Sequence, residues 1–201
     1  ARRHPGCACE GANSPLGSPG PVQPGEVVRL FLTSPSDIDG KSPAGREKRT
    51  FKAGSLQKAF TKGLSVVRLN HADRDELEYS ASILHRYQTE RKAEYGGVLA
   101  VVDFPVEAVR NSDDEEARMC VLETPLEPVA KGTFRRPSHA DGVYSHSQVP
   151  DEVKKAKRDI VFNRIIAQGR KLPAEEVKEC DLAQFLPQVV RRERDTTPKP
   201  K

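Results

Sequence analysis

The stretch GLSVVRL at 63–69 and the stretch GGVLAVVDF at 96–104 decide the fold that this sequence predicts. Both are rich in β-branched and other apolar residues, which is typical of β-strands. The segment between them has a helix start signal, because Asp73 can cap the first turn and Glu76 follows three residues later. Gly96 is suited to end this helix. Its apolar side chains recur every three or four residues, at Leu77, Ala81, Leu84 and Tyr87.

A strand, a helix and a second strand in this order predict a β-α-β unit with two parallel strands. The run Val98–Val102 has no polar side chain, so we expect a central strand that is covered on both faces. The predicted fold class is therefore α+β or α/β. We expect a small mixed sheet built on one β-α-β unit, with helices packed on it and with disordered termini.

Composition limits the size of the core. The chain has 201 residues, of which 36% are apolar and 31% are charged, and it has no tryptophan, which is lean for a globular chain. The prolines and glycines of residues 1–25 predict a disordered tail. We expect a single α/β-type domain at 26–187 and a charged C-terminal tail at 188–201. No apolar run is long enough to span a membrane, so no membrane association is expected.

The same periodicities predict further elements along the chain, namely strands at 26–32 and 118–122, a short helix at 55–62, a helix from Pro150 to Gly169 and a last short helix that starts at Pro173. The segment 106–110 alternates apolar and polar residues, and we expect it to form an antiparallel hairpin with 118–122. Residues 127–149 show no period and are predicted to be irregular.

The four cysteines do not form a disulfide framework. Only Cys7 and Cys9 are close in sequence, and together with His4 they fall short of the four ligands of a zinc site. No metal and no cofactor are therefore expected. Cys120 lies in a predicted core strand and is interpreted as an inert buried thiol. This use of cysteine favours a reducing, cytoplasmic location.

Polar residues beyond the predicted strands are the candidates for chemistry, because ligands bind outside the carboxyl ends of parallel strands. They are Arg68, His71 and Asp103 at the strand ends, and Arg135, Arg136, His139 and Asp141 in a later loop that is expected to fold over the same edge. In the functional interpretation the arginines bind an anionic ligand, one histidine moves a proton, and one aspartate orients that histidine. In the competing interpretation both histidines are exposed loop residues, and Asp103 caps a turn.

The helix predicted from Pro150 to Gly169 carries a basic surface made of Lys154, Lys155, Lys157 and Arg158. This surface could bind a polyanion through phosphate charge. It could equally be a solvated outer face, because acidic residues are mixed into it and no aromatic side chain accompanies it.

Two short motifs carry a resemblance to known sequences. They are GLSV at 63–66, followed by Arg68, and PSHAD at 137–141, together with the dipeptide Phe51-Lys52. With them the chain resembles a group of small uncharacterised bacterial proteins over about residues 27 to 165. The resemblance implies a bacterial cytoplasmic protein and implies that the two motifs belong to one site or one feature of the fold. It implies no activity.

Two functions are consistent with the sequence. The first is a non-enzymatic binding module for a protein or nucleic-acid partner, which is favoured because the chain has charge but no catalytic signature. The alternative is an enzyme that acts on a phosphate-bearing or nucleotide substrate at the strand-end cleft. One form of that enzyme would transfer ADP-ribose, using Arg29 or Arg68 together with Glu123.

Overall fold

The computed structural model of the chain describes residues 17–34, 37–39, 50–91, 97–110, 118–126, 135–144, 149–173 and 176–177. Its strands are β1 Val27–Leu32, β2 Ile38–Asp39, β3 Thr50–Phe51, β4 Leu64–Arg68, β5 Ala100–Pro105, β6 Met119–Glu123, β7 His139–Tyr144 and β8 Arg170–Pro173. Its helices are α1 Arg74–Arg91, α2 Glu107–Arg110 and α3 Asp151–Gln168, with a 3-10 helix at Ala53–Phe60. None of these described helices is long and apolar enough to cross a membrane.

Six strands form one sheet in the order β6-β7-β4-β1-β5-β8, in which every neighbouring pair is antiparallel. The α+β class is confirmed, but the predicted parallel pair is wrong. Strands β4 and β5 run in the same direction, yet β1 lies between them and pairs antiparallel with both. The β-α-β unit is therefore split by a strand from earlier in the chain, and local sequence patterns do not report such long-range pairing.

Helices cover the sheet on both faces. Side chains alternate between the two faces along each strand, so one strand contributes residues to the packing on both. In β1, Leu30 belongs to the larger core cluster, which also contains side chains of the 3-10 helix, α2 and α3. Phe31, Val67 and Val101 belong to a smaller cluster that packs against α1. The surface of the sheet that carries these three residues is called the α1 face below. The prediction that 98–102 contributes a strand covered on both faces is confirmed for Ala100–Val102.

Local signals in the sequence predicted α1 and the 3-10 helix correctly. The Oδ1 atom of Asp73 accepts the N–H of Glu76 at 2.8 Å, so Asp73 is the N-cap. The predicted stripe of α1 packs in the smaller cluster through Leu77, Ala81 and Leu84, whereas the side chain of Tyr87 lies outside the described residues.

Helix α3 begins after Pro150 and ends before Gly169, as predicted. Val161 and Ile165 are buried in the larger cluster. Lys157 is buried as well, although the sequence analysis placed it on a solvated or polyanion-binding surface. The reason is its position, because residues 157, 161 and 165 are four apart and share one face of the helix.

Two predictions of local structure are wrong. Residues 107–110 form the short helix α2 instead of one arm of a hairpin. The partner of β6 is β7, which lies inside the segment 127–149 that was predicted to be irregular. The pair Asp141-Gly142 interrupts the apolar pattern of β7, so its strand character was not visible. The helix predicted from Pro173 lies mostly outside the described residues, and Pro173 itself ends β8.

Residues 17–25 are folded onto the sheet, although the sequence analysis assigned 1–25 to a disordered tail. Val22 is buried in the larger cluster. The Nη1 atom of Arg110 donates to the carbonyl oxygen of Val22 at 3.0 Å, and Nη1 of Arg68 donates to that of Gly20 at 2.7 Å. The domain therefore begins before residue 26. Residues 1–16 and 188–201 lie outside the described residues.

Cys120 is buried on β6 and is disulfide-bonded. The interpretation of this residue as a free thiol is therefore wrong. The other three cysteines of the chain, Cys7, Cys9 and Cys180, lie outside the described residues.

Candidate active site

Arg68 and His71, two of the residues predicted to form a cleft, lie beside Glu26. Arg68 is fully buried on the face opposite α1, and its Nε and Nη2 atoms each donate to the Glu26 carboxylate at 2.7 Å. The Nε2 atom of His71 lies 3.4 Å from the same carboxylate. Burial acts to raise the pKa of Glu26, but hydrogen bonds and the charge of Arg68 outweigh it and hold this pKa below its usual value. These contacts join Arg68 and His71 to Glu26 within the fold.

Asp103 is bound to Arg29 on the α1 face. Its carboxylate accepts Nε and Nη2 of Arg29 at 2.7 and 2.8 Å, a bidentate pair. His139, Val67, Arg29 and Asp103 occupy one row across four neighbouring strands. Three strand spacings of about 4.8 Å separate the ends of this row by roughly 14 Å. Asp103 therefore does not orient His139, and the predicted single cleft does not form.

His139 and Asp141 do come together, on a strand and not in the predicted loop. They are two residues apart on β7, so both side chains lie on the α1 face. Nδ1 of His139 lies 2.8 Å from the carbonyl oxygen of Thr124 and 3.0 Å from its Oγ1 atom. Oγ1 of Thr124 in turn donates to Oδ2 of Asp141 at 2.9 Å. The link between the two predicted residues thus runs through Thr124, which the sequence analysis did not select.

Ser65 on β4 completes this cluster. Its direct partner across the ladder is Asp141, and Val67 is the direct partner of His139, so Ser65 lies diagonally from the imidazole. The Oγ atom of Ser65 is 2.5 Å from Nε2 of His139. Ser65 is exposed, whereas His139 is only 5% exposed. An accessible hydroxyl therefore contacts a buried ring nitrogen.

These contacts fix the tautomer of His139. A carbonyl oxygen can only accept, so Nδ1, which lies beside that of Thr124, carries the ring proton. Nε2 of the neutral ring is then an acceptor, and the Ser65 hydroxyl donates to it. Burial lowers the pKa of His139 below its usual value, with Asp141 opposing this effect and Arg136 adding to it. The lowered pKa favours the neutral imidazole, and in this form Nε2 can accept the proton of Ser65.

Glu76 of α1 interacts with Arg136 and with Ser138, which directly precedes His139. The Glu76 carboxylate accepts the N–H of Ser138 at 3.0 Å, which ties the start of α1 to the residue before His139. Burial raises the pKa of Glu76 against the effect of the Ser138 hydrogen bond. Arg136 is half-buried, whereas Arg135 is exposed. Burial lowers the pKa of Arg136, and its interactions with Tyr79 and Glu76 oppose this.

A cavity of about 100 Å³ opens beside Ser65. It lies where β1 and β4 separate. The described pairs between these strands are Val28–Arg68 and Arg29–Val67, so the pairing ends before Ser65. Arg135 and Arg136, which were predicted to bind an anion, are not among the described residues that line it. Lys58 and Asp37 line it, and burial raises the pKa of Asp37 while Lys58 opposes that shift. The apolar residues of its lining are Leu30, Phe31, Leu32, Leu64 and Leu84, and Thr33 and Ser55 are further polar lining residues.

Gly63 allows the close approach of β4 to Asp141. Its φ angle of +86° is in the left-handed region that other residues rarely adopt. A Cβ atom at this position would meet the side chain of Asp141 at 3.0 Å. Both the backbone conformation and the space beside the site therefore require glycine.

The cations predicted to bind a polyanion do not share one exposed surface. Lys155 is exposed and Lys157 is buried. Nζ of Lys154 donates to Oδ1 of Asp151 at 2.9 Å, and Nη1 of Arg158 donates to a glutamine side chain of the 3-10 helix at 2.8 Å. The predicted surface is therefore divided between the core, ion pairs and solvent.

The pairs considered for ADP-ribosyl transfer are not observed. Arg29 and Arg68 bind other carboxylates, and Glu123 accepts a hydrogen bond from Ser18. No group of three or more His, Cys, Asp or Glu side chains within the described ranges could hold a metal ion. The candidate ligands His4, Cys7 and Cys9 lie outside those ranges.

Comparison with known proteins gives no match: no protein family, no curated protein and no solved structure is similar to this chain. Its function is therefore inferred from the geometry around Ser65 and His139.

Proposed function

We propose that this chain is a hydrolase that accepts an acyl group on Ser65, with His139 as the general base. The observation that carries the proposal is the 2.5 Å contact between Oγ of Ser65 and Nε2 of His139, whose Nδ1 is held by Thr124. A hydroxyl within hydrogen-bond reach of a base that a third group orients is the arrangement that activates serine as a nucleophile. Ser65 is also exposed beside a cavity, so a substrate can reach it.

The reaction follows from these contacts. Oγ of Ser65 forms a bond to the carbonyl carbon of an ester, its proton moves to Nε2 of His139, and the carbonyl electron pair moves onto oxygen. That pair returns as the alcohol leaves, and the alcohol oxygen takes the proton from Nε2. Water then attacks the acyl-serine in the same way, which releases the carboxylic acid and restores Ser65. Thr124 and Asp141 hold the ring and stabilise its transient positive charge.

Two features favour an acyl substrate over the phosphate-bearing substrate considered from the sequence. Phosphoryl transfer needs cationic groups around the transferred phosphate, but Arg68 is bound to Glu26 and lies on the opposite face. Leucine residues line one part of the cavity beside Ser65, and Thr33, Asp37 and Ser55 line another part. Lys58 is the one cation among the described lining residues, and it interacts with Asp37. The leucine-lined part of the cavity suits an acyl chain.

A non-enzymatic binding module for a protein or nucleic-acid partner stays a prediction. Its support from α3 is reduced, because Lys157 is buried and Lys154 is paired with Asp151. A hydroxyl poised on a neutral imidazole has no role in binding a polyanion. The hydrolase therefore accounts for more of the described geometry.

The bacterial origin implied by the resemblance also stays a prediction. The expectation that its two motifs belong to one site or one feature of the fold also stays a prediction, and the pairing of Ser65 with Asp141 between β4 and β7 supports it. A cytoplasmic location stays a prediction as well. The disulfide of Cys120 favours an oxidising compartment instead.

The proposal is tested by hydrolysis of p-nitrophenyl acetate and p-nitrophenyl butyrate by the purified full chain. Ser65→Ala and His139→Gln are each expected to lower kcat/KM by about 10²–10⁴-fold, the usual contribution of a nucleophile and its base. Ser82→Ala is the matched control and keeps the wild-type rate, because the Ser82 hydroxyl donates to the carbonyl oxygen of Glu78 one turn earlier in α1. Urea unfolding of Ser65→Ala shows whether this variant is folded. Equal rates for wild type and Ser65→Ala, or no rate above that of free imidazole, reject the proposal.

A further inference from the structure

The hydrogen-bond pattern between β1 and β4 stops one pair before Ser65. The N–H of Leu69 donates to the carbonyl oxygen of Val27 at 2.9 Å, so these residues form a hydrogen-bonded pair. Such pairs recur at every second residue of an antiparallel ladder. Arg29–Val67 is the next one, and Phe31–Ser65 would follow. The register ends at Arg29–Val67, so the Phe31–Ser65 pair is missing between these two described strands.

The backbone groups of Phe31 and Ser65 therefore point into the gap between the strands. On the other side of β4, the backbone N–H and C=O of Ser65 form no ladder hydrogen bond with β7. The N–H of Arg68 donates to the carbonyl oxygen of Ser138, which makes Ser65–Asp141 a pair of the non-hydrogen-bonded kind. Backbone donors and acceptors thus lie within the cavity wall, next to the nucleophile. A substrate with a backbone-like amide can pair with such groups.

We propose that the substrate of Ser65 is peptide-like, an ester or amide of an N-acylated small aliphatic amino acid. Its carbonyl carbon lies at Oγ of Ser65, and its N–H and N-acyl oxygen pair with the backbone of Phe31 and Ser65. An extended peptide that pairs with unpaired strand backbone is bound through the same kind of hydrogen bonds. This inference rests on the proposed function, and it adds the chemical class of the acyl group.

The cavity sets the size of the side chain that the substrate carries. Its volume is about 100 Å³, and an apolar cavity of about 150 Å³ is large enough for benzene. A valine side chain fits this space, whereas an indole does not. Leu84 of α1 is one wall of the cavity and is partly buried, so shortening it enlarges the space.

The test compares p-nitrophenyl esters of N-acetyl-valine, N-acetyl-N-methyl-valine and N-acetyl-tryptophan. Each enzymatic rate is divided by the imidazole-catalysed rate of the same ester, which removes differences in intrinsic reactivity. N-methylation of the valine ester removes its N–H donor and leaves a backbone acceptor of the protein without a partner. The kcat/KM of the N-methyl ester is therefore expected to be at least about 10-fold lower than that of the N-acetyl-valine ester. The tryptophan ester is expected to react at least about 10-fold more slowly than the valine ester with wild type, and Leu84→Ala to narrow this difference.

The outcomes separate the two proposals. If N-methylation leaves kcat/KM unchanged while Ser65→Ala still abolishes hydrolysis, the peptide-like substrate is rejected and the acyl hydrolase stands. If Leu84→Ala leaves the valine-to-tryptophan ratio unchanged, the assigned side-chain pocket is rejected. If Ser65→Ala hydrolyses the valine ester as fast as wild type, or if no ester is hydrolysed, the proposed function itself is rejected.

Discussion

The guanidinium of Arg68 binds both carboxylate oxygens of Glu26 inside the protein, each at 2.7 Å. It also donates to the carbonyl oxygens of Gly20 and Pro21, at 2.7 and 3.4 Å. One side chain therefore joins the 17–26 segment to β4. The pair is structural, and its loss should be seen in stability before it is seen in catalysis.

Arg68→Leu is expected to lower the free energy of unfolding by about 3–5 kcal/mol, because it leaves Glu26 buried without its partner. Lys154→Ala, which breaks an exposed pair, should change it by no more than about 0.5 kcal/mol. The pKa of Glu26 is held low in the folded protein, so its contribution is present above its unfolded pKa of about 4.3 and is lost as pH falls through the folded value. Urea unfolding at about pH 7 and about pH 4 measures both effects. A change below about 1 kcal/mol in Arg68→Leu at pH 7 would contradict the assignment.

Val22 tests whether the 17–26 segment belongs to the core. Val22→Asp puts an unpaired charge into the larger cluster and is expected to lower the free energy of unfolding by more than about 3 kcal/mol or to prevent soluble expression. Pro24→Ala, at an exposed position in the same segment, should change it by less than about 1 kcal/mol. Similar small effects of both substitutions would restore the original prediction of a dispensable tail.

Lys155 and Lys157 provide a matched pair on α3. Lys157→Glu is expected to lower the free energy of unfolding by about 2 kcal/mol or more, because residue 157 faces the core with Val161 and Ile165. Lys155→Glu, at an exposed position, should cost less than about 0.5 kcal/mol. Thermal unfolding measures the difference. Equal costs would show that Lys157 is solvated, and salt-dependent binding of heparin that Lys155→Glu abolishes would revive the binding module.

Periodic segments of this chain could be predicted from sequence. The strand at β1, the cap at Asp73 and the end of α3 before Gly169 depend on neighbours a few residues away, and all three are confirmed. The insertion of β1 between β4 and β5 could not be predicted, because strand order depends on contacts between distant segments.

The candidate site shows the same limit. His139 and Asp141 could be selected as polar residues two apart in sequence. Ser65 and Thr124 are 74 and 15 residues from His139, and only the pairing of β4, β7 and β6 brings them to it. A signal was present at Ser65, which is the one polar residue in the apolar run 64–67. A polar residue at such a position can interact with a polar side chain across the ladder.

The pH dependence of hydrolysis tests the state of His139. Its pKa lies below the usual value of about 6.5, so the acid limb of kcat/KM should have its midpoint below this pH. Asp141 raises this pKa, so Asp141→Asn should move the midpoint further towards acid. The neutral ring is also favoured by folding, so His139 should make the protein less stable as pH falls below about 6.5. A midpoint at or above the usual value, or a shift towards base in Asp141→Asn, would be inconsistent with a buried neutral base.

The most direct measurement is covalent labelling of the full chain with a fluorophosphonate, followed by mass spectrometry of the tryptic peptides. Oγ of Ser65 displaces fluoride from phosphorus, and its proton leaves through His139. Wild type is expected to carry one label, on Ser65, and His139→Gln should react about 10²–10⁴-fold more slowly. A label on a different serine, an unlabelled wild type, or an unchanged rate in His139→Gln would show that the contact between Ser65 and His139 is structural only.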